Sequence, residues 1–290
     1  MSKTVNVLTA AQQNWYQYKE IYPLICQLGT GGTGGFLVQH IAQLLSTSKT
    51  RAAYVIADPD VIEEKNLGNQ LFLPNEVGLK KADVLARRYS AAYDLDIGSY
   101  NEKYIESTQD MRSLFSVEYL ETGERSYNTL YLPIIIGTVD NNFTRKVIHD
   151  LFKQLNTCIY IDAGNENATV PKDWQQRPKE QWTEEELAAF QNSGWSGQVV
   201  TGVNLNLFKQ APVAEVFPDI LNDQDEIRPS ELSCTELTAS EPQRLIVNKF
   251  AALAVLNVLT QLIEEKTISS HITFFHAKRG YMRSTDVQSH

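Results

Sequence analysis

The chain reads as an α/β protein: a Rossmann-like, doubly wound sheet, mostly parallel, with an antiparallel C-terminal portion. Three observations predict this. Short apolar runs alternate with stretches of helical period through residues 22–161, the pattern of parallel strands covered by helices on both faces. Five glycines crowd into CQLGTGGTGG, residues 26–35, where the first apolar run ends and a helical stretch begins. Beyond Asp162 the alternation stops, and the chain ends in a hairpin pattern.

Each element follows in order. Residues 22–28 are a buried strand, and residues 36–45, FLVQHIAQLL, a helix. Residues 52–57, AAYVIA, form a second strand ending at Asp58, and residues 80–93, KKADVLARRYSAAY, an amphipathic helix. Residues 130–136, LYLPIII, are a strand ending at Gly137; a helix over 143–155 and a strand over 157–161 follow. Residues 171–196 are polar and rich in Trp and Glu, an insertion with a short helix at 184–190. A strand resumes over 198–204, QVVTGVN. Pro212, Pro218 and Pro229 interrupt residues 209–240, which read as a crossover-like segment. Residues 242–263 form a long helix apolar on most of its circumference, suited to a core or a subunit interface. The end, ITFFHAKRGYMRS, is a hairpin around Lys278, Arg279 and Gly280. Together these make one domain over residues 1–290.

A chain of 290 residues buries a sizeable core. With 42% hydrophobic and 21% charged residues it falls in the globular class. A net charge of -9 argues against non-specific nucleic-acid or acidic-membrane binding. The first residues lack a signal-peptide pattern, and no apolar run is expected to approach the ~20 residues that cross a bilayer. Three cysteines without a C-x-x-C pair argue against a disulfide framework and a structural zinc, and fit a reducing cytoplasm.

The chemistry concentrates near the glycines. Gly29, Gly31 and Gly34 fit G-x-G-x-x-G: the first for a tight turn, the second for close approach to phosphate oxygens, the third for helix–strand packing. It is not a Walker A loop, because Gly35-Phe36 stand where Lys and Ser or Thr would be. Asp58, at the end of the second strand, is placed for ribose hydroxyls. Both NAD and ATP carry that ribose, so the choice stays open here. Downstream, Lys80 and Lys81 open a helix and can offer an ammonium to a triphosphate. Asp140, after the strand at 130–136, can hold magnesium against phosphates.

Four ordered motifs narrow the field: GTGGTG, DPDVIEEKNLGNQ, VGLKK and DNNFTR. In this the chain resembles the ThiF/MoeB/HesA family, relatives of the ubiquitin-activating enzymes, over about residues 22–165. The stretches GNQLF, SGQVVTG and SCTEL…PQRLIVN resemble its PRTRC-system ThiF-like subgroup most. The resemblance implies Mg-ATP-dependent adenylation of a carboxylate, commonly the C-terminus of a ubiquitin-like or sulfur-carrier protein or peptide, by a homodimer. It implies that Gly31 and Gly32 line the phosphates and that Asp58 binds the ribose. Asn66 and Gln70 would contact the nucleotide, Lys81 (or Lys80) would neutralise phosphate charge, and Asp140 would bind magnesium. Arg145 is expected to hold the Asp140 turn.

Two departures stand out. The family arginine of N-L-x-R-Q is Asn69, and residues 1–28 contain no Arg. Arg87, Arg88 or a partner's arginine are the candidates to replace that charge. Without one, the fold would be a nucleotide-binding scaffold of little activity. An NAD-binding oxidoreductase explains the glycines and Asp58 but leaves Lys81 and Asp140 without a role. Cys234 is the candidate transfer thiol, against a plain buried cysteine; Cys26 and Cys158 lie in apolar strands and belong to the core.

Overall fold

A computed structural model describes residues 4–12, 17–115, 128–223, 228–231 and 242–288. Its strands are β1 (Val5–Asn6), β2 (Glu20–Leu28), β3 (Ala53–Ala57), β4 (Ile97–Tyr100), β5 (Thr129–Gly137) and β6 (Cys158–Asn165). They continue with β7 (Ser196–Leu205), β8 (Phe208–Gln210), β9 (Thr267–Ile268), β10 (Ser270–His276) and β11 (Tyr281–Asp286). The helices are α1 (Val7–Ala10), α2 (Gly32–Ser48), α3 (Lys81–Tyr93), α4 (Thr108–Ser113), α5 (Asn142–Gln154), α6 (Glu184–Asn192), α7 (Val213–Val216), α8 (Asp219–Asn222) and α9 (Leu245–Thr260).

The main sheet runs β11-β10-β7-β6-β5-β2-β3-β4, with β8 beside β7, while β1 and β9 pair separately. The five strands from β4 to β6 are parallel, and β7, β10 and β11 are antiparallel. The expected doubly wound sheet with an antiparallel portion is therefore what forms. Its parallel strands are apolar on both faces because both faces are covered. Ile25, Leu132, Ile134 and Ile136 pack under α2, α3 and α9; Cys26, Ile135, Cys158 and Tyr160 pack under α4, α5 and α7.

Leu245–Glu265 is long and apolar enough to cross a membrane by length and composition alone, with a mean hydropathy of 1.7. That combination comes from continuing α9 through a π-helical turn, Gln261–Glu265. In this fold 56% of that window is buried, against α2 and the sheet. Leu245, Ile246 and Leu253 remain exposed on its outer side.

The insertion at 171–196 is more ordered than a solvated loop. Arg177 bonds Asp173 on one side and Glu186 of α6 on the other, at 2.9 and 2.6 Å. Thr183 and Glu186 close a capping box at the start of α6. The terminal hairpin forms as expected, with Gly280 at a φ of +66°.

Candidate functional site

The parallel strands order as β4-β3-β2-β5-β6, so the winding direction reverses between β2 and β5. Ligands of such sheets bind outside the carboxyl ends at that reversal. The glycine loop leaves β2 there, and the Thr138–Asp140 turn leaves β5 beside it.

Gly29 has a φ of +92°, and a Cβ on it would lie 2.7 Å from the Thr138 carbonyl oxygen, so the turn requires glycine. A Cβ on Gly34 would come within 2.2 Å of Gly29 O, which is the close helix–strand packing expected of it. Gln27 braces both, its Nε2 donating to Gly29 O and Gly34 O at 3.0 Å each. Gly31 caps α2 without a side-chain hydrogen bond, and a Cβ there would meet nothing nearer than Gln70 Nε2 at 3.9 Å. Gly32 differs: its Cβ would sit 2.1 Å from Asn248 Nδ2.

Asp58 arrives at the end of β3 and is buried. Its Oδ2 accepts from Thr30 N and Thr30 Oγ1 at 2.7 Å each, and its Oδ1 accepts from Asp60 N at 2.9 Å. A ribose hydroxyl would share a carboxylate already holding the loop. Burial raises the pKa of Asp58, and the ammonium of Lys81 opposes that rise. Lys81 opens α3 with its side chain 9% exposed and pairs with Asp60 at 2.9 Å. Burial pulls its pKa down, but the Asp58 and Asp60 carboxylates outweigh that and raise it. Asp60 also accepts from the Tyr104 hydroxyl at 2.6 Å. Lys80 Nζ is spent on Pro59 O at 2.5 Å.

The polar segment after Asp58 folds over the loop. Asn66 is buried, and its Oδ1 accepts from Glu63 N at 2.9 Å, closing a 3-10 turn over Glu64–Gly68. Asn69 Oδ1 and Gln70 Oε1 are buried without a hydrogen-bond partner. Leaving such acceptors unpaired costs of order 1–3 kcal/mol each. Arg88 is not free to supply the charge expected of it in place of Asn69. It is committed to Leu71 O and Glu76 Oε2 at 2.5 Å each, and Arg87 is exposed.

Asp140 is exposed beyond β5. Arg145 holds its turn as expected, donating to Val139 O at 2.8 Å and to Asp162 Oδ1 at 3.1 Å. Among the described residues no group of three His, Cys, Asp or Glu side chains is placed to hold a metal ion. A single carboxylate beside the glycine loop is compatible with magnesium, which commonly takes one or two carboxylates and completes its shell with substrate phosphates and water. Cys234 lies outside the described residues. Cys26 and Cys158 are buried, and burial pushes both thiols well above the usual range.

Sequence reasoning missed Asp60 as the partner of Lys81, Tyr104 as the partner of Asp60, and Asn248 against Gly32. The first two join residues 21 and 44 positions apart. Asn248 alone left a trace, as a polar residue in a mostly apolar helix.

PaaA superposes with a TM-score of 0.54 at 12% identity, covering 92% of this chain and 65% of that one. E. coli MccB with AMPCPP and MccA gives 0.50 at 16%, covering 92% and 64%. E. coli MccB with ATP gives 0.50 at 16%, covering 93% and 64%. The chain shares the fold of PaaA and MccB. It spans 64–65% of the length of these structures. No protein-family model and no curated protein matches it.

Proposed function

We propose that the protein uses Mg-ATP to adenylate a carboxylate, the C-terminus of a ubiquitin-like or sulfur-carrier protein or peptide. The observation that carries this reading is the convergence of the loop Gly29–Gly34, Asp58, Lys81, Gln70 and Asp140 on the reversal between β2 and β5. The four-motif resemblance to the ThiF/MoeB/HesA family supports it, as do fold neighbours crystallised with ATP and with AMPCPP and MccA. The narrower PRTRC-type reading rests on GNQLF, SGQVVTG and SCTEL. Homodimerisation fits the exposed Leu245, Ile246 and Leu253 of α9, and a cytoplasmic setting fits the cysteine usage.

In this reading a carboxylate oxygen attacks the α-phosphorus. The bond to the bridging oxygen breaks, pyrophosphate leaves, and an acyl-adenylate forms. The chain's work is positioning and charge neutralisation. Gly31 and the first-turn N–H groups of α2 receive phosphate oxygens. Asp58 holds the ribose, Asn66 and Gln70 border the nucleotide, and Lys81 supplies positive charge. Asp140 would hold magnesium, which screens the leaving pyrophosphate. A Cys234 thiol, if it accepts the acyl group, would release AMP and form a thioester.

ATP–pyrophosphate exchange in the presence of candidate carboxyl partners tests the reading. Exchange dependent on the partner's free C-terminus is expected. One observation favours a second reading, a nucleotide-binding scaffold: Asn69 replaces the family arginine and Arg88 is tied to Glu76. Mg-ATP binding with no exchange for any partner would select it.

A further inference from the structure

The glycine loop has a second wall. Asn248 lies in the first turn of α9 and is 0% exposed. Its Oδ1 accepts from Asn165 Nδ2 at 2.8 Å and from Thr33 Oγ1 at 3.2 Å. Asn165 Nδ2 also contacts Thr33 Oγ1 at 2.9 Å, which ties the carboxyl end of β6 to the first turn of α2. This geometry uses the carbonyl end of Asn248 and the amide end of Asn165, and leaves Asn248 Nδ2 and Asn165 Oδ1 buried without a partner. That nitrogen lies 2.1 Å from where a Cβ on Gly32 would stand, so it is aimed at the first residue of α2.

The N-terminus of α2 is where an anion is most stable. The helix has 17 residues, and its cap, Gly31, offers no side-chain acceptor. Its first-turn N–H groups have no intrahelical acceptor and carry the positive end of the helix dipole. An unpaired amide donor placed against such an end calls for an acceptor from outside the chain, and the whole end favours one that is negatively charged. Gly32 therefore serves a purpose separate from Gly31. Gly31 leaves space in front of the loop, and Gly32 admits the Asn248 carboxamide beside it.

On the reading that the site binds ATP, we infer that Asn248 completes the phosphate cradle. Its Nδ2 donates to an oxygen of the bound polyphosphate, while Asn165 and Thr33 fix the orientation of its carboxamide. It is an uncharged donor on an element far in sequence from the four motifs, in a site whose family arginine is Asn69.

Calorimetric titration of wild type, Asn248→Ala and Asn165→Ala with Mg-ATP and with adenosine tests this. Asn248→Ala should bind Mg-ATP roughly 10- to 100-fold more weakly, the range for a hydrogen bond to a charged group, and bind adenosine like wild type. Asn165→Ala should show a smaller loss in the same direction. Unchanged Mg-ATP affinity, or an equal loss for ATP and adenosine, overturns the inference. If Asn248→Ala does not fold, the half-buried Asn165 decides by the same comparison. A wild type that binds no Mg-ATP refutes the ATP reading itself, a result separate from failure of the variants.

Discussion

Two adjacent glycines differ in what a single methyl group would meet. At Gly31 it would make only an ordinary contact, with Gln70 Nε2 at 3.9 Å; at Gly32 it would strike a carboxamide held by two hydrogen bonds. Gly31→Ala should keep its unfolding midpoint yet bind Mg-ATP more weakly, because the methyl takes ligand space. Gly32→Ala should lose about 1–3 kcal/mol in denaturant unfolding, the usual cost of overpacking. Adding Asn248→Ala should recover part of that loss, a coupling that a double-mutant cycle measures. Full additivity would mean the two groups do not oppose each other. Asp140 is exposed and makes little of the fold, so Asp140→Ala should keep the ligand-free midpoint and abolish pyrophosphate exchange. Full exchange would remove the magnesium assignment.

Among the elements, the insertion is the one whose behaviour the sequence hides most. Its α6 is clasped to the start of α9 by Arg244, whose guanidinium lies 4.5 Å from the Phe190 ring centre and 3.9 Å from that of Trp195. Arg244 also donates to Ser193 O at 3.1 Å and to Phe190 O. Arg244→Ala should speed amide exchange across α6 while sparing the central strands, through loss of contacts worth ~0.5–2 kcal/mol each. Glu186 adds a pH signature. The hydrogen bonds from Arg177, then the Thr183 N–H, bring its pKa down to about 2. A depressed carboxylate contributes above its unfolded pKa of about 4.3, and that contribution fades as pH falls toward 2. A carboxyl NMR titration should place Glu186 near 2, and nearer the free value in Arg177→Ala. The parallel strands β2, β3, β5 and β6 and the helices α3 and α5 are legible in sequence because both sheet faces are apolar and each helix has its own period. The start of α2 is not, because glycines are poor helix formers and disguise a first turn that tertiary contacts hold. β1, β4 and β9 escape notice because two to four residues show no period.

For the molecule as a whole, the fold brings four separated motifs to one edge of one sheet, and that placement is legible once the strand order is known. The glycines and Asp58 are the residues from which the sequence raises the expectation of a phosphate and a ribose. The charge environment is not legible, because Lys81 is tied to Asp60 and Asp58 by contacts across more than 20 positions. A lysine so held keeps its charge through neutral pH. The raised pKa means its ion-pair contribution is complete below its unfolded value of about 10.4 and is lost only as pH climbs past that. The direct test of the cradle is the thermal unfolding midpoint of the intact chain with Mg-ATP, with NAD and with neither. At 100-fold excess over Kd a ligand stabilises by about 2.7 kcal/mol, a shift of several degrees. Mg-ATP should give that shift and NAD none. A shift with NAD alone would contradict the ATP reading.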